Sequence, residues 1–374
     1  MLLSSIVGAR PQFVKLAPMV AALATYPIEH SIVHTGQHYD DEMSGIFFHD
    51  LDLPTPTVNL GIGSGPHGWQ TARMLAGIEE TFTITRPDLV IVYGDTNSTL
   101  AGALAAAKLN IPVAHIEAGL RSYRKDMPEE INRVLSDHVS ALLFTTTDTA
   151  TTNLVREGFW TESIFQVGDV MKDAFIGNVA KMPVALDLGL PPEYAVSTIH
   201  RAENMGNCLD EIVSNLEELP IPVIFPAHPR TAKALAGRRI SIRVIPPLPY
   251  LDMMRLVADA TIILTDSGGL QREAYWSGVP CVVLRNETEH IELVESGWSV
   301  LAKPRELCRA VSFMLSASVP ARDDSLFGDG HAAEKIVDIS IRWLSNRAAQ
   351  AAYLPLTPNE SGGVSCPPPP LVLD

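Results

Sequence analysis

The chain has few cysteines, and those it has are widely separated. Four occur among 374 residues, at Cys208, Cys281, Cys308 and Cys366. No two of them form a C-x-x-C pair, which argues against a structural zinc site and against a disulfide framework. This usage is typical of a reducing compartment, so we expect a cytoplasmic protein.

The chain also lacks a long apolar run and an excess of positive charge. No stretch approaches the ~20 apolar residues that a membrane span needs, so no membrane association is predicted. Residues 1–8 have the pattern of a short strand, without the basic start and long apolar middle of a signal peptide. The formal net charge of −15, from 43 acidic and 28 basic residues, argues against non-specific nucleic-acid binding. An anionic ligand would therefore need a locally basic pocket.

What the sequence does contain is an alternation of short apolar runs and longer helical patterns. The first strands are predicted at Leu2–Val7, Ser31–His34, Leu89–Val92, Val113–Ile116, Leu142–Thr145 and Ile164–Val167. A second set is predicted at Tyr194–Ile199, Val223–Pro226, Ile242–Ile245, Ala260–Leu264 and Cys281–Leu284. The alternation indicates an α/β fold with parallel sheets covered on both faces.

A break near residues 172–192, with prolines at Pro183, Pro191 and Pro192, separates the two sets of strands. We expect a Rossmann-like domain over residues 1–172 and a second one over residues 173–345, whose last helix packs back on the first. Residues 346–374, with four consecutive prolines, are predicted to form a flexible tail. Ligands of such domains bind beyond the carboxyl ends of the strands, so two facing domains enclose a cleft.

The segment T-D-S-G-G-L-Q-R-E-A, residues 265–274, lies where a predicted strand turns into a helix. Glycines there let backbone N–H groups approach a ligand, and a helix N-terminus favours anions. Ser267, Gly268 and Gly269 are therefore candidates for binding phosphate, and Glu273 for binding ribose hydroxyls. The alternative is an ordinary helix start capped by serine.

Three carboxylates follow strands of the first set. Asp95 follows the third strand, where it either caps the next helix or, if Ser98 caps it, is available for chemistry. Glu117 ends an apolar strand, and a carboxylate there is costly unless it is paired or functional. Glu129 begins a predicted helix, either as a residue that suits the helix dipole or as a third group at the same cleft.

Cationic groups occupy corresponding positions in both halves. Arg10 and Lys15 follow the first strand, His200 follows the first strand of the second set, and Arg285 follows the strand that ends at Leu284. Carboxylates from one domain that face a phosphate site and cations from the other suit proton transfer beside a nucleoside-diphosphate leaving group.

These segments resemble the non-hydrolysing UDP-N-acetylglucosamine 2-epimerase family over about residues 1–345. The matching motifs, in order, are G-A-R-P-Q-F-V-K, T-G-Q-H-Y, Y-G-D-T-N-S-T, H-I-E-A-G-L-R-S, M-P-E-E-I-N-R, V-G-D-V-M, H-R-A-E-N, D-S-G-G-L-Q-R-E and R-N-E-T-E. The resemblance implies two Rossmann-like domains facing a cleft, in the glycosyltransferase-B type fold. It also implies a homodimer, and a reaction that needs neither cofactor nor metal.

The resemblance further implies roles for individual residues. The family mechanism is anti elimination of UDP to a 2-acetamidoglucal, followed by re-addition that inverts carbon 2. The catalytic residues of the family match Asp95, Glu117, Glu129 and His200. Its substrate-binding residues match Arg10, Lys15, Ser267, Gly268, Gly269, Glu273 and Arg285.

The chain departs from well-known members at Ala9, at Gln12 and in the segment H-I-E that follows T-E. The G-A-R-P-Q-F form also resembles enzymes that epimerise UDP-2,3-diacetamido-2,3-dideoxyglucuronate for O-antigen synthesis, which is the alternative substrate. The carboxylate of this sugar would need an additional cation in the pocket, and the candidates are Arg121, Arg124, Lys125 and Arg201. Near the uracil, Tyr250 or Met253 would replace the aromatic residue of other members.

Three other readings remain open. A hydrolysing epimerase would release UDP and free N-acetylmannosamine. A glycosyltransferase of the same fold would need an acceptor site and would leave the three carboxylates without a shared purpose. A non-catalytic UDP-sugar-binding protein would need the S-G-G corner but not the carboxylates.

Overall fold

The computed structural model describes residues 1–37, 47–206, 208–227, 229–235, 237 and 240–353. The end of the T-G-Q-H-Y motif and the prolines of the predicted tail lie outside these residues. Residues 346–353, which we assigned to the tail, instead continue the last helix. Alanine and glutamine are good helix formers, and the first proline comes only at Pro355.

The first sheet is built from short, mostly buried apolar runs. Its strands are β1 (Leu2–Val7), β2 (Glu29–His34), β3 (Val58–Asn59), β4 (Leu89–Tyr93), β5 (Val113–Ala118), β6 (Leu142–Thr145) and β7 (Ile164–Gln166). All pairs are parallel, in the order β3-β2-β1-β4-β5-β6-β7. The sequence analysis did not identify β3, because two residues are too few to show a period.

Helices cover both faces of this sheet. They are α1 (Arg10–Leu23), α2 (His67–Thr85), α3 (Asn97–Lys108), α4 (Pro128–Val139), α5 (Asp148–Arg156) and α6 (Val170–Val179), with a short 3₁₀ turn at Thr161–Ser163. Phe13 and Leu16 of α1 pack in one buried cluster. Met74 and Ile78 of α2 pack in another. The strands are thus buried on both faces, as is usual for parallel sheets.

The second sheet repeats this architecture. Its strands are β8 (Ala195–Thr198), β9 (Val223–Pro226), β10 (Arg243–Ile245), β11 (Ile262–Thr265), β12 (Cys281–Val283) and β13 (Ser299–Leu301). All pairs are parallel, in the order β10-β9-β8-β11-β12-β13. The short edge strand β13 was not predicted.

The helices of the second half include the long C-terminal helix. They are α7 (Ala202–Met205), α8 (Leu209–Glu217), α9 (Pro229–Leu235), α10 (Tyr250–Ala258), α11 (Gly268–Ser277), α12 (Ile291–Glu295), α13 (Leu307–Ser316) and α14 (Ala332–Tyr353), with a 3₁₀ turn at Pro304–Glu306. Ile336 and Val337 of α14 lie in the same buried cluster as Leu16 and Met19 of α1. The last helix therefore packs on the first domain.

The two strand orders determine where the candidate residues lie. In the first sheet the order reverses between β1 and β4, which are followed by Arg10 and Asp95. In the second it reverses between β8 and β11, which are followed by His200 and Ser267. Such switch points are where open α/β sheets bind ligands. Among the described residues, no helix is long and apolar enough to span a bilayer.

Candidate active site in the interdomain cleft

Glu117 lies at the centre of a buried ion cluster that joins the two domains. Its carboxylate accepts hydrogen bonds from Lys15 Nζ of α1 and, at 2.6 Å, from Arg272 Nη1 of α11. Arg272 also binds the Asp169 carboxylate, just before α6. Burial and the charge of Arg272 lower the pKa of Lys15 to about 8. Two cations thus flank one carboxylate at this point of contact between the domains.

The backbone around Glu117 has an unusual conformation. Glu117 has φ +73°, in the left-handed region that non-glycine residues rarely adopt, and the β5–β6 register shifts between Ile116 and Ala118. Across from it, Gly94 has φ +61°, and a Cβ there would lie 3.0 Å from Lys15 Nζ. Local strain of this kind is typical of functional positions.

Asp95 is held in place by two residues of α4. Its carboxylate binds the buried guanidinium of Arg133, and the Asn132 amide donates to the Asp95 carbonyl oxygen at 2.9 Å. The suggestion that Asp95 or Ser98 caps the next helix is wrong. Thr96 does so, accepting from the backbone of Thr99, because Asp95 lies one residue before the cap position and Ser98 lies inside the first turn. The Asp95 side chain is therefore not used as a cap.

Glu129 and Glu130 are neighbours in the first turn of α4 with different environments. Glu130 is buried and accepts hydrogen bonds from Ser122 N at 2.9 Å, Tyr123 N at 2.8 Å and Arg133 Nη1 at 3.2 Å. Within the described residues, Glu129 makes no hydrogen bond or ion pair. Glu130 therefore holds the loop before α4, while the Glu129 carboxylate is only partly buried.

His200 is oriented by Asp266, a residue that the sequence analysis did not identify. Its ring Nδ1 lies 3.0 Å from Asp266 Oδ1, and its side chain is 52% exposed. Asp266 is fully buried and also accepts from Arg201 N and Asn204 Nδ2, both at 3.0 Å. Burial alone would raise the pKa of Asp266, but its hydrogen bonds from His200, Asn204 and Arg201 lower it. This carboxylate thus fixes the whole H-R-A-E-N loop.

The S-G-G corner forms a helix N-terminus with free donors. The Ser267 side chain caps α11 by accepting from Leu270 N at 3.4 Å, so the capping alternative also holds. In the part of the chain that the structure describes, the N–H groups of Gly268 and Gly269 donate no hydrogen bond. A Cβ at Gly268 would lie 2.5 Å from Glu289 Oε1, so a side chain there would displace the Glu289 carboxylate from its place beside Arg285. Such a terminus is suited to binding an anion.

Arg285 and Glu289 form a buried ion pair beside this terminus, with Arg285 Nη1 2.7 Å from Glu289 Oε2. Burial would raise the pKa of Glu289, but Arg285, His290 and Arg133 lower it well below its ordinary value. Arg133, in turn, binds Asp95. The positive charge of Arg133, a residue of the first domain, therefore stabilises the ionised Glu289 beside the N-terminus of α11.

Glu273 lies one turn into α11, beside the Tyr250 hydroxyl. Burial raises the pKa of Glu273 to about 7, although Arg272 and Tyr250 act in the opposite direction. Tyr250 is buried, and its ring lies 6.3 Å from that of Phe47. Arg10 lies 5.7 Å above the same Phe47 ring, which places α1 close to this end of the cleft.

The cleft contains four buried cations, and each of them is paired with a carboxylate. Lys15, Arg133, Arg272 and Arg285 are all buried along it. Among the described residues, no group of three or more His, Cys, Asp and Glu side chains is arranged to hold a metal ion.

Of the cations proposed to meet a substrate carboxylate, Arg121 is a wrong choice. It is buried within the first domain, where it binds Asp137 at 2.7 Å and Glu157 at 2.7 Å. Arg124 reaches across the cleft to Glu203 at 3.0 Å and Glu287 at 3.1 Å. These partners lie 16 to 163 residues away in the chain, and sequence spacing could not reveal them.

The structure also adds residues to the predicted site. Arg133 follows Glu129 by four residues on one helix, a spacing that could have pointed to it. No sequence pattern could have identified Arg272 and Asp169, because they come close to Glu117 only through the packing of α11 on α6.

Comparison with known proteins supports this description. The family described as UDP-N-acetylglucosamine 2-epimerase matches residues 21–340. A UDP-N-acetylglucosamine 2-epimerase homolog of Methanococcus maripaludis is 48% identical, over 90% of this chain and 98% of its own. A UDP-2,3-diacetamido-2,3-dideoxy-D-glucuronate 2-epimerase of Pseudomonas aeruginosa is 44% identical, over 89% of this chain and 98% of its own.

A solved structure has the same fold. The UDP-GlcNAc 2-epimerase of Methanocaldococcus jannaschii, crystallised with UDP-GlcNAc and UDP, superposes with a TM-score of 0.86 at 43% identity. The match covers 91% of this chain and 100% of that one. The chain belongs to the UDP-N-acetylglucosamine 2-epimerase family, whose two parallel-sheet domains it shares.

Proposed function

We propose that this protein is an isomerase that interconverts UDP-N-acetylglucosamine and UDP-N-acetylmannosamine without hydrolysis. The observation that carries the proposal is the pairing of Glu117 with Arg272. It brings the carboxylate-bearing loops of the first domain against the helix whose N-terminus is suited to a diphosphate. A UDP-sugar bound at that terminus would have its sugar ring beside the carboxylates.

The first half of the reaction is an anti elimination. A carboxylate among Asp95, Glu117 and Glu129 removes the hydrogen on carbon 2 as a proton. The electrons of that C–H bond form the double bond between carbons 1 and 2, and the bond from carbon 1 to the diphosphate oxygen breaks with its electrons on oxygen. The products are UDP and a 2-acetamidoglucal, held in the closed cleft.

The second half reverses these steps on the other face of carbon 2. A second carboxylate of the three, in its protonated form, delivers a proton to that face, and the UDP oxygen re-forms its bond to carbon 1. Two acid–base groups on opposite faces are what inversion requires, and each contributes about 10²–10⁴-fold to such steps. Asp95, Glu117 and Glu129 are the candidates for these two groups.

The departing diphosphate is stabilised from both domains. We assign this role to the N–H groups of Gly268 and Gly269 together with His200, Arg10 and Arg285. Fixed donors aimed at developing charge are usually the largest single contribution in such sites. Glu273 is assigned to the ribose hydroxyls, and Lys15 to holding Glu117 in place.

The test is a product analysis of the purified protein with UDP-N-acetylglucosamine. The proposal predicts UDP-N-acetylmannosamine at equilibrium, no accumulating UDP and no reaction by Glu117→Gln. Free N-acetylmannosamine with stoichiometric UDP would instead make it a hydrolysing enzyme. Transfer of the sugar to an added acceptor would make it a glycosyltransferase.

UDP-2,3-diacetamido-2,3-dideoxyglucuronate is the second candidate substrate, because a relative at 44% identity is named for it. Arg201 is the candidate to meet its carboxylate: it is half-buried beside Asp266, and its Nη1 lies 3.9 Å from Met127 Sδ across the cleft. Turnover of this sugar that exceeds turnover of UDP-N-acetylglucosamine, and that falls in Arg201→Met, would favour it. We also propose a homodimer, to be tested by light scattering in solution.

A further inference from the structure

His115 lies beneath the carboxylates and is not used by the proposed mechanism. It is on β5, two residues before Glu117, and its side chain is fully buried. Its Nδ1 lies 2.6 Å from Asp137 Oδ1 of α4, and its Nε2 lies 2.7 Å from the Gly94 carbonyl oxygen. Both nitrogens of the ring are therefore in short hydrogen bonds.

These two contacts define the protonation of the ring. A carbonyl oxygen only accepts, so Nε2 must donate to Gly94. A neutral imidazole has one N–H, which would leave Nδ1 without a proton opposite Asp137. The pair then needs a second proton, carried either by His115 or by Asp137.

The surroundings of Asp137 favour its ionised form. Its Oδ2 accepts from Arg121 Nη1 at 2.7 Å and from Gly119 N at 3.2 Å. Burial would raise the pKa of Asp137, but His115 and Arg121 lower it. The shared proton therefore belongs on the histidine.

We propose that His115 is a buried imidazolium that positions the three carboxylates of the epimerase site. The positioning role rests on the proposed function, because that function assigns the carboxylates their part in the reaction. The protonation of the ring is independent of the proposed function.

The contacts of this group reach all three catalytic segments. Gly94, which accepts from the ring, precedes Asp95. Gly119, which donates to Asp137, lies two residues after Glu117, and Asp137 is on the helix that begins with Glu129. The pair therefore holds the backbone next to Asp95 and near Glu117, and it anchors the helix that carries Glu129.

The charges of the cluster balance without solvent. His115 and Arg121 are cationic, while Asp137 and Glu157 are anionic, and Arg121 donates to both Glu157 oxygens at 2.7 Å. Among the described residues, no other titratable group forms a hydrogen bond or ion pair with His115. A buried pair of this kind is stable when both partners are present. Removing one partner destabilises the fold, because the other charge is then buried without compensation.

The direct test is nitrogen NMR of the wild-type protein labelled in its histidines. At about pH 8, a free imidazole in water is neutral and has one unprotonated ring nitrogen. The proposal predicts one ring with both nitrogens protonated at this pH, lost in His115→Asn. Absence of a doubly protonated ring would overturn it, whatever reaction the protein catalyses.

The positioning role is tested by kinetics. Each of the variants His115→Asn and His115→Gln retains one donor, so we expect kcat to fall about 100-fold through misplaced carboxylates. KM and the Kd for UDP should change little. The exposed His138, whose Nδ1 bonds only its own helix at Val134 O, supplies the control His138→Asn.

Two outcomes would contradict that role. One is an unchanged kcat in both variants. The other is a loss of kcat that merely follows a loss of folded protein and of UDP binding. An inactive wild-type protein would refute the proposed function, and the NMR result would still decide the state of His115.

Discussion

Arg272 Nη1 and Glu117 Oε1 lie 2.6 Å apart, although the two residues are 155 positions apart in the chain and belong to different domains. Lys15 and Asp169 complete the buried cluster. The contact therefore couples domain packing to the placement of the carboxylate that we assign to proton transfer.

Replacing Arg272 with methionine should leave Glu117 and Asp169 short of a cation in a buried site. Removing one partner of a buried pair typically costs about 3–5 kcal/mol in free energy of unfolding. We expect a loss of that size in denaturant unfolding, with a smaller loss for Arg272→Lys. The control is Arg255→Met, which removes an exposed pair with Asp259; an equal effect of both would refute this account of the cluster.

Glu129 and Glu130 provide a test of which glutamate takes part in the reaction. Glu129→Gln should reduce kcat by about 10²–10⁴-fold, the usual contribution of an acid–base group, while stability is retained. Glu130→Gln should lower the melting temperature, because Glu130 accepts three hydrogen bonds from Ser122 and Tyr123 of the preceding loop and a fourth from Arg133. Steady-state rates and thermal unfolding of both variants decide this, and the reverse pattern would exchange the two roles.

A single methyl group at Gly268 should weaken nucleotide binding. The added Cβ would lie 2.5 Å from Glu289 Oε1, at the helix terminus that we assign to the diphosphate. The Kd for UDP, measured by calorimetry, should rise by at least about tenfold, equivalent to about 1.4 kcal/mol. Gly177→Ala is the matched control, since a Cβ there meets nothing within 4 Å. Normal UDP binding by Gly268→Ala would place the diphosphate elsewhere.

Glu273 should make UDP binding depend on pH. Its pKa of about 7 means that it is protonated below neutral pH and ionised above it. Because the ionised carboxylate is the better acceptor for ribose hydroxyls, affinity for UDP should weaken as pH falls through 7. Glu273→Gln should weaken binding at high pH and remove this part of the pH dependence, with the exposed Glu295→Gln as the control.

The raised pKa of Glu273 should also make the stability of the folded protein depend on pH. Between the ordinary value of 4.5 and about 7, the folded protein retains a proton on Glu273 that the unfolded chain releases. This contribution to stability is complete below pH 4.5 and is lost as pH rises through 7. The melting temperature of Glu273→Gln should therefore vary less over this range than that of the wild type. An unchanged dependence would mean that Glu273 is ionised throughout.

The sequence was sufficient for the architecture and for the positions of the polar loops. Alternating apolar runs predicted the long strands, and residues directly after them, such as Asp95 and His200, lie at the switch points. The partners of these residues could not be predicted. Asp266 and Arg272 reach His200 and Glu117 only after the sheets have assembled, and no local pattern encodes such a contact.

The most direct test of the account is proton NMR of the enzyme with UDP-N-acetylglucosamine in deuterated water. Because the proposed mechanism removes the carbon 2 proton and returns one from solvent, the UDP-mannosamine epimer should carry deuterium at carbon 2. UDP should not accumulate, and Glu117→Gln should show no exchange. An epimer that retains its original hydrogen at carbon 2 would contradict proton transfer by these carboxylates.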